Sequence, residues 1–270
     1  MNYEIKRIIK LFFPGIVKKI SDDFHYNSFK GKFRTFDEAT RLTKSYNSKK
    51  IGYKIEQIYK KSRYSVNEFD RDGQIVIKKN INFRLINYIN KLTLSKNEKY
   101  IIDFGGSLCN FYRTNKNHLN NNISWIIFDK KITIDIANKY LKSKKRIFFH
   151  SIKSLKEYIE VNNLKIELFL FGSVLQYIDE IENILKLVNK LNCKNIIIDR
   201  QPMLIKGKTT YCIQKVPFWY GGNSFAVKLY NYRNFISIFN KFNFFLVDSF
   251  KGFGNDFKNG KYICQIYKKN

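Results

Sequence analysis

Between residues 100 and 198 the sequence alternates continuous apolar runs with stretches of helical period, and this alternation limits the folds open to the chain. The apolar runs fall at 100–104, 125–128, 147–149, 168–171 and 195–198. A strand that is apolar on both faces has to be covered on both, as in a parallel sheet flanked by helices. The intervening stretches, 132–141, 152–162 and 181–191, repeat apolar residues at helical spacing. The pattern predicts an α/β fold with a doubly wound, mostly parallel, Rossmann-like sheet. Further strands at 211–216, 244–250 and 262–267, around a helix at 232–242, predict an antiparallel edge.

Upstream, residues 1–97 read as a helical N-terminal extension to a domain spanning 98–270. In 1–24, Ile5, Ile8, Ile9, Phe12, Ile16 and Ile20 share one helical face, Lys6, Arg7, Lys10, Lys18 and Lys19 fill the rest, and Pro14-Gly15 divides the segment. Such a basic amphipathic segment, over 3–20, either lies on a membrane surface or packs on its own domain. Thr35 is an N-cap whose capping box is completed by Glu38. A second helix passes through Ile55, Ile58 and Tyr59, a turn follows at 70–73, and a third helix carries Phe83, Ile86, Ile89 and Leu92. The Asn-rich stretch 115–122 reads as a mobile loop.

The formal charge of +28 requires an explanation. Lysine is spread over every segment, together with Asn, Ile, Phe and Tyr, which is the signature of drift toward A- and T-rich codons. Drift ranks first, an anionic membrane or glycolipid surface second, and nucleic acid last, since no arginine-rich block or RNA-binding aromatic signature occurs. No apolar run approaches the roughly 18 residues of a membrane span, and no signal peptide is evident, so the expectation is cytoplasmic, with peripheral contact at the inner membrane face as an option. Cys109, Cys193, Cys212 and Cys264 are scattered, so neither a zinc site nor a disulfide framework is expected.

The chemistry gathers where strands end. In open α/β sheets ligands bind at the carboxyl ends of the strands. The first run ends in Asp103-Phe104-Gly105-Gly106-Ser107, and glycine there permits close ligand approach. The second run ends in Asp129, where a nucleotide site holds ribose hydroxyls. The third leads into His150-Ser151, the fourth into Gly172-Ser173-Val174-Leu175-Gln176-Tyr177, and the fifth into Asp199-Arg200-Gln201-Pro202. Each has a plainer reading: a Gly-Gly bend, a surface Asp, a structural histidine, an Asp–Arg ion pair. A dinucleotide site wants a third glycine on the G-x-G-x-x-G pattern, and Ser107-Leu108-Cys109-Asn110 supplies none. No P-loop occurs either, so a ligand without phosphates fits the shorter turn.

Together, Ile102-Asp103-Phe104-Gly105-Gly106-Ser107-Leu108, Ser173-Val174-Leu175-Gln176-Tyr177 and Ile197-Ile198-Asp199-Arg200-Gln201-Pro202 resemble class I methyltransferases. More narrowly, they resemble a bacterial methyltransferase family met among surface-polysaccharide biosynthesis proteins, over roughly residues 30–250, with Phe33, Phe36, Ala39, Tyr46 and Gln214-Lys215-Val216-Pro217 contributing. The chain departs from that family at Cys109, where a further glycine is usual, and at Asp129, where Glu is more common.

The resemblance implies S-adenosylmethionine as cofactor, held by Asp103, Gly105, Gly106, Ser107, Asp129, Ser151, Gly172 and Ser173, with no metal. It implies Gln176, Arg200, Trp219 and Tyr220 on the acceptor side, and Asp199, His150 or Tyr177 as the catalytic group. The expected acceptor is a cell-surface glycan or its lipid- or nucleotide-linked precursor. The alternative is a non-catalytic, membrane-associated binding protein of the same fold. A nucleic-acid methyltransferase ranks below both, because Phe171-Gly172-Ser173-Val174 stands where amino-methylating DNA enzymes carry N/D-P-P-[YFW].

Overall fold

The computed structural model describes residues 28–43, 49–62, 69–70, 75–76, 81–215 and 223–270. The basic segment at 1–24, residues 71–73 of the expected turn, and Trp219 and Tyr220 lie outside them. The chain opens with β1 (Phe29–Phe33), α1 (Phe36–Arg41), α2 (Lys49–Ser62), an antiparallel pair β2 (Phe69–Asp70) and β3 (Ile75–Val76), and α3 (Phe83–Leu92). The alternating region follows as β4 (Lys99–Phe104), α4 (Asn110–Asn115), β5 (Ile123–Phe128), α5 (Lys131–Leu141), β6 (Arg146–Phe149), α6 (Ile152–Val161), β7 (Ile166–Gly172), α7 (Ile181–Lys190) and β8 (Asn195–Leu204). It closes with β9 (Thr210–Lys215), β10 (Ser224–Asn231), α8 (Tyr232–Lys241), β11 (Phe244–Lys251) and β12 (Gly260–Lys269).

Strands β6, β5, β4, β7 and β8 lie side by side and parallel. β12 runs antiparallel along β8, and β11 lies outside it, which supplies the expected antiparallel edge. The side chains alternate with period two. Ile102, Phe104, Ile126, Phe169, Phe171, Ile196 and Ile198 point to the face covered by α6, α7 and α8. Ile101, Trp125, Ile127, Leu168, Leu170 and Ile197 point to the face covered by α3 and α5. Each of the larger of these side chains, such as the fully buried Phe169, contributes about 2 kcal/mol through burial.

Two features depart from the sequence expectation. Residues 29–33, expected in a helical prelude, form a strand paired with β9. β8 runs on to Leu204, where its far end pairs in parallel with β10. β10 pairs with β9, and β9 with β1, so an antiparallel extension stands beyond the carboxyl edge of the main sheet. Pro202, which has no N–H for a ladder, falls in the gap between the last β7 partner at Asp199 and the first β10 partner at Met203.

The stretch at 115–122 is a correction to the mobile-loop reading. It forms the end of α4 and a single 3₁₀ turn. The asparagine amides then staple it: Asn120 donates to Asn90 and Thr93, and Asn122 donates to the carbonyls of Thr93, Ser95 and Asn97. Short amide side chains satisfying backbone groups hold the segment down. Thr35 does cap α1, accepting from the Glu38 amide at 3.1 Å, while the Glu38 carboxylate reaches back to the Arg34 amide.

Candidate functional site

The strand order reverses between β4 and β7, because the chain moves from β4 outward to β6 and returns to pair β7 on the other side of β4. The carboxyl ends of these two strands form the crevice in which open α/β sheets bind ligands. Gly105–Ser107 leave β4 there and Gly172–Tyr177 leave β7.

The two loops touch. Gly105 has φ +74°, and a Cβ on it would lie 2.4 Å from Val174 Cγ2. A Cβ on Gly106 would lie 2.5 Å from Asp103 Cγ and 2.6 Å from its Oδ2, so this glycine roofs the buried carboxyl directly. Gly172 differs: a Cβ there would meet nothing within 4 Å. Among the described residues no neighbouring atom requires that glycine.

Asp129, at the end of β5, holds the first loop in place. Its Oδ2 accepts from the Ser107 amide at 2.8 Å and its Oδ1 from the Lys130 amide at 2.6 Å. Each carboxylate oxygen can accept a further bond, so a ribose hydroxyl could still be received. Ser107, Cys109, Ser173 and Arg200 all have left-handed backbone, with φ between 52° and 59°. Left-handed torsions on residues with a Cβ cost about 1 kcal/mol each and persist only where surrounding structure enforces them. All four sit on the carboxyl side of the sheet.

Arg200 owes its torsion to a β-bulge in β8. Gln201 faces Ile263 and Ile198 faces Gln265, so Asp199 and Arg200 together oppose Cys264. Arg200 Nε donates to Asp199 Oδ2 at 2.8 Å, and the Cys264 thiol donates to Asp199 Oδ1 at 3.3 Å. Asn82, the N-cap of α3, donates in turn to Cys264 Sγ. Asp199 and Asp103 belong to the same side of the sheet, and Asp129 stands at the next strand end. Asp103 is 1% exposed and its Oδ2 has no partner among the described residues. Burial first, then the negative charges of Asp129 and Asp199, push its carboxyl up to about 8.

On the other flank, Gln176 is buried and donates to the Ser173 carbonyl at 2.8 Å and to its hydroxyl at 3.2 Å. The Tyr177 hydroxyl donates to Gln214 on β9 at 2.7 Å, and Lys228 on β10 reaches the Asp179 carbonyl at 2.7 Å. These two ties fasten the antiparallel extension to the loop after β7, making it a fixed wall.

The structure therefore brings together Asp103, Gly105, Gly106, Ser107, Asp129, Gly172, Ser173, Gln176, Tyr177, Asp199 and Arg200. It places His150 and Ser151 further out. His150 is exposed at the end of β6, the outermost strand on its side, and Ser151 caps α6 by accepting from the Ser154 amide. Asn82 and Cys264 are site neighbours that sequence reasoning did not find, and Val174 and Gln214 entered it only within motifs, without a role of their own. Cys264 lies 65 positions from Asp199, and no local spacing links such a pair.

No family model matches this sequence, and no curated protein does. Solved structures match. The N-terminal domain of EvdMO1 with S-adenosylhomocysteine bound superposes with a TM-score of 0.51 at 9% identity, over 81% of this chain and 97% of that one. The same domain in the presence of S-adenosylhomocysteine and D-fucose gives 0.50 at 10% identity, over 81% and 97%. This is the class I methyltransferase fold. LepI in complex with S-adenosylmethionine matches with a TM-score of 0.48 at 12% identity, over 72% of this chain, which spans 49% of LepI. Among the described residues no helix is long and apolar enough to cross a membrane.

Proposed function

We propose that the chain is an S-adenosylmethionine-dependent methyltransferase. One observation carries the reading: a left-handed glycine loop, tied to the acid of the next strand, roofs a buried carboxyl at the strand reversal, with one oxygen unpartnered among the described residues. That surround is acidic and lacks a phosphate cradle, which suits a cationic ligand better than a nucleotide diphosphate. The residues present fit the cofactor. Asp129 would receive the ribose hydroxyls, the Gly105–Ser107 backbone would line the nucleoside, and the space beside Gly172 would take the methionine end. When bound, the cofactor supplies an electrophilic methyl group on a sulfonium.

The chain's own residues then position the acceptor and remove its proton. Bound there, the cofactor would give its methyl group to the acceptor and keep the sulfur–methyl electron pair, and a residue of this chain would take the acceptor's proton. Asp199 is our preferred base because the bulge, Arg200 and Cys264 fix its orientation beside the cleft. Tyr177 would line the acceptor side. We take the acceptor to be a surface glycan or its lipid- or nucleotide-linked precursor. The EvdMO1 domain described in the presence of D-fucose supports a sugar.

The second reading, a non-catalytic binding protein of this fold, is favoured by one fact. Both Asp199 oxygens and the Tyr177 hydroxyl already have partners. Calorimetry with S-adenosylhomocysteine, followed by a search for a 14 Da increment on surface polysaccharide from cells with and without the protein, separates the two. Binding with the increment supports the enzyme. Binding without it, in the presence of abundant acceptor, supports the binding protein. No binding of either cofactor form by the folded protein rejects the enzyme and favours the non-catalytic reading.

A further inference from the structure

Asp103 is enclosed more completely than a ligand-contacting carboxylate needs to be, and its enclosure has a specific chemical meaning. Its side chain is 1% exposed, its Oδ2 has no partner among the described residues, and Gly106 lies directly over it. The charged and titratable groups facing it are few. From β5 comes Asp129, from β8 come Asp199 and Arg200, and from the start of α4 comes the Cys109 thiol, itself pushed up by burial. The β7 side offers Phe171, Gly172 and Ser173, none of them titratable. Arg200 is the one cation in this set, and it is engaged with Asp199.

We propose that Asp103 is the residue through which the site distinguishes a cationic sulfonium cofactor from its neutral thioether product, holding a proton in the empty protein and releasing it when the sulfonium is seated. The inference rests on the cofactor reading above. A buried carboxyl with two acidic neighbours, and with one oxygen that no described residue donates to, is stable as the neutral acid. A positive charge brought into the cleft reverses that preference, and the proton leaves to solvent. After methyl transfer the sulfur is neutral, the carboxylate has lost its counter-charge, and Asp103 takes one proton back. The protonated acid then holds the product less tightly than the carboxylate held the cofactor, which favours exchange.

Titration calorimetry of the full chain in two buffers of different ionisation heat, between about pH 5.5 and 7, counts the protons. Wild type is expected to release close to one proton per S-adenosylmethionine and close to none per S-adenosylhomocysteine. Its affinity for S-adenosylmethionine should rise toward tenfold per pH unit, while that for the product stays flat. Asp103→Asn should release none with either ligand and lose the pH dependence. Urea midpoints of the unliganded proteins provide an independent readout. The wild-type midpoint should fall as pH rises over this window, and that of Asp103→Asn should stay level if the variant is folded and the proton resides on Asp103. Equal proton counts for the two ligands, or a level wild-type midpoint, would overturn the proposal while leaving the cofactor reading intact. Absence of binding by both ligands would overturn the cofactor reading and the proposal with it.

Discussion

The Ser107 amide donates to the Asp129 carboxylate at 2.8 Å, so the loop that leaves β4 is positioned by the residue that ends β5. A hydrogen bond to a charged acceptor contributes about 1.5–3 kcal/mol. Asp129→Ala should therefore weaken S-adenosylhomocysteine binding roughly 10- to 100-fold by calorimetry. Asp129→Asn, whose amide oxygen can still accept from one backbone N–H, should fall between. Faster hydrogen exchange at residues 105–108 in the Ala variant would show that the loop has loosened; unchanged exchange with unchanged affinity would refute the assignment.

Gly106 and Gly172 should separate stability from binding. An alanine at 106 would press its Cβ into the Asp103 carboxyl, and overpacking of this kind costs about 1–3 kcal/mol. An alanine at 172 meets no atom of the described residues within 4 Å, so stability should change by no more than about 0.5 kcal/mol. Its methyl group would instead occupy the ligand's space, and ligand affinity should drop at least about tenfold. A Gly172→Ala protein that unfolds early yet binds normally would contradict the placement of the ligand.

Cys109 is fully buried with φ +59° at the start of α4. Replacing it with alanine removes the packed sulfur and keeps the torsional strain. Glycine removes the sulfur and also relieves about 1 kcal/mol of strain. In urea melts Cys109→Gly should match or exceed Cys109→Ala, the reverse of the usual helix order. A Gly variant less stable than the Ala variant by more than about 0.5 kcal/mol would show that the torsion is unstrained.

Glu56 links α2 to α5. Hydrogen bonds from Tyr140 and then Lys139 hold its carboxyl down to about 2, with Lys60 adding a smaller contribution. The folded value lies below the unfolded one, so this support is present above about pH 4.5 and is lost as pH falls toward 2. Hydrogen exchange across residues 49–62 should quicken on acidification over that window in wild type. Glu56→Gln should already exchange faster at neutral pH and should respond less to acid.

Much of this fold was legible because it is written in local period. The five core strands are continuous apolar runs and the helices between them repeat at helical spacing, so Ile101, Phe169 and Ile197 announce burial on both faces. Asp103, Asp129 and Asp199 were legible as strand-end acids. What escaped depends on distant partners. β1 and β10 find their places only through β9, and Phe29–Phe33 has no strong alternation of its own. The bulge at Asp199–Arg200 exists because β12 arrives with one residue fewer, and nothing near position 200 records that. Cys109 was marked in sequence as an exception to a glycine, and its left-handed torsion gives the exception a physical content.

β8 is a splice between the main sheet and the antiparallel wall. β12 runs along its whole length, while the partner on the other side changes from β7 to β10, with the Asp199–Arg200 bulge at the changeover. A load on the wall is passed to the main sheet through that joint, and the bulge is its least regular point. Whatever seats against the extension therefore tugs on the carboxylate of Asp199. Redesigning the wall for a new guest would also retune the residue that Arg200 and Cys264 hold.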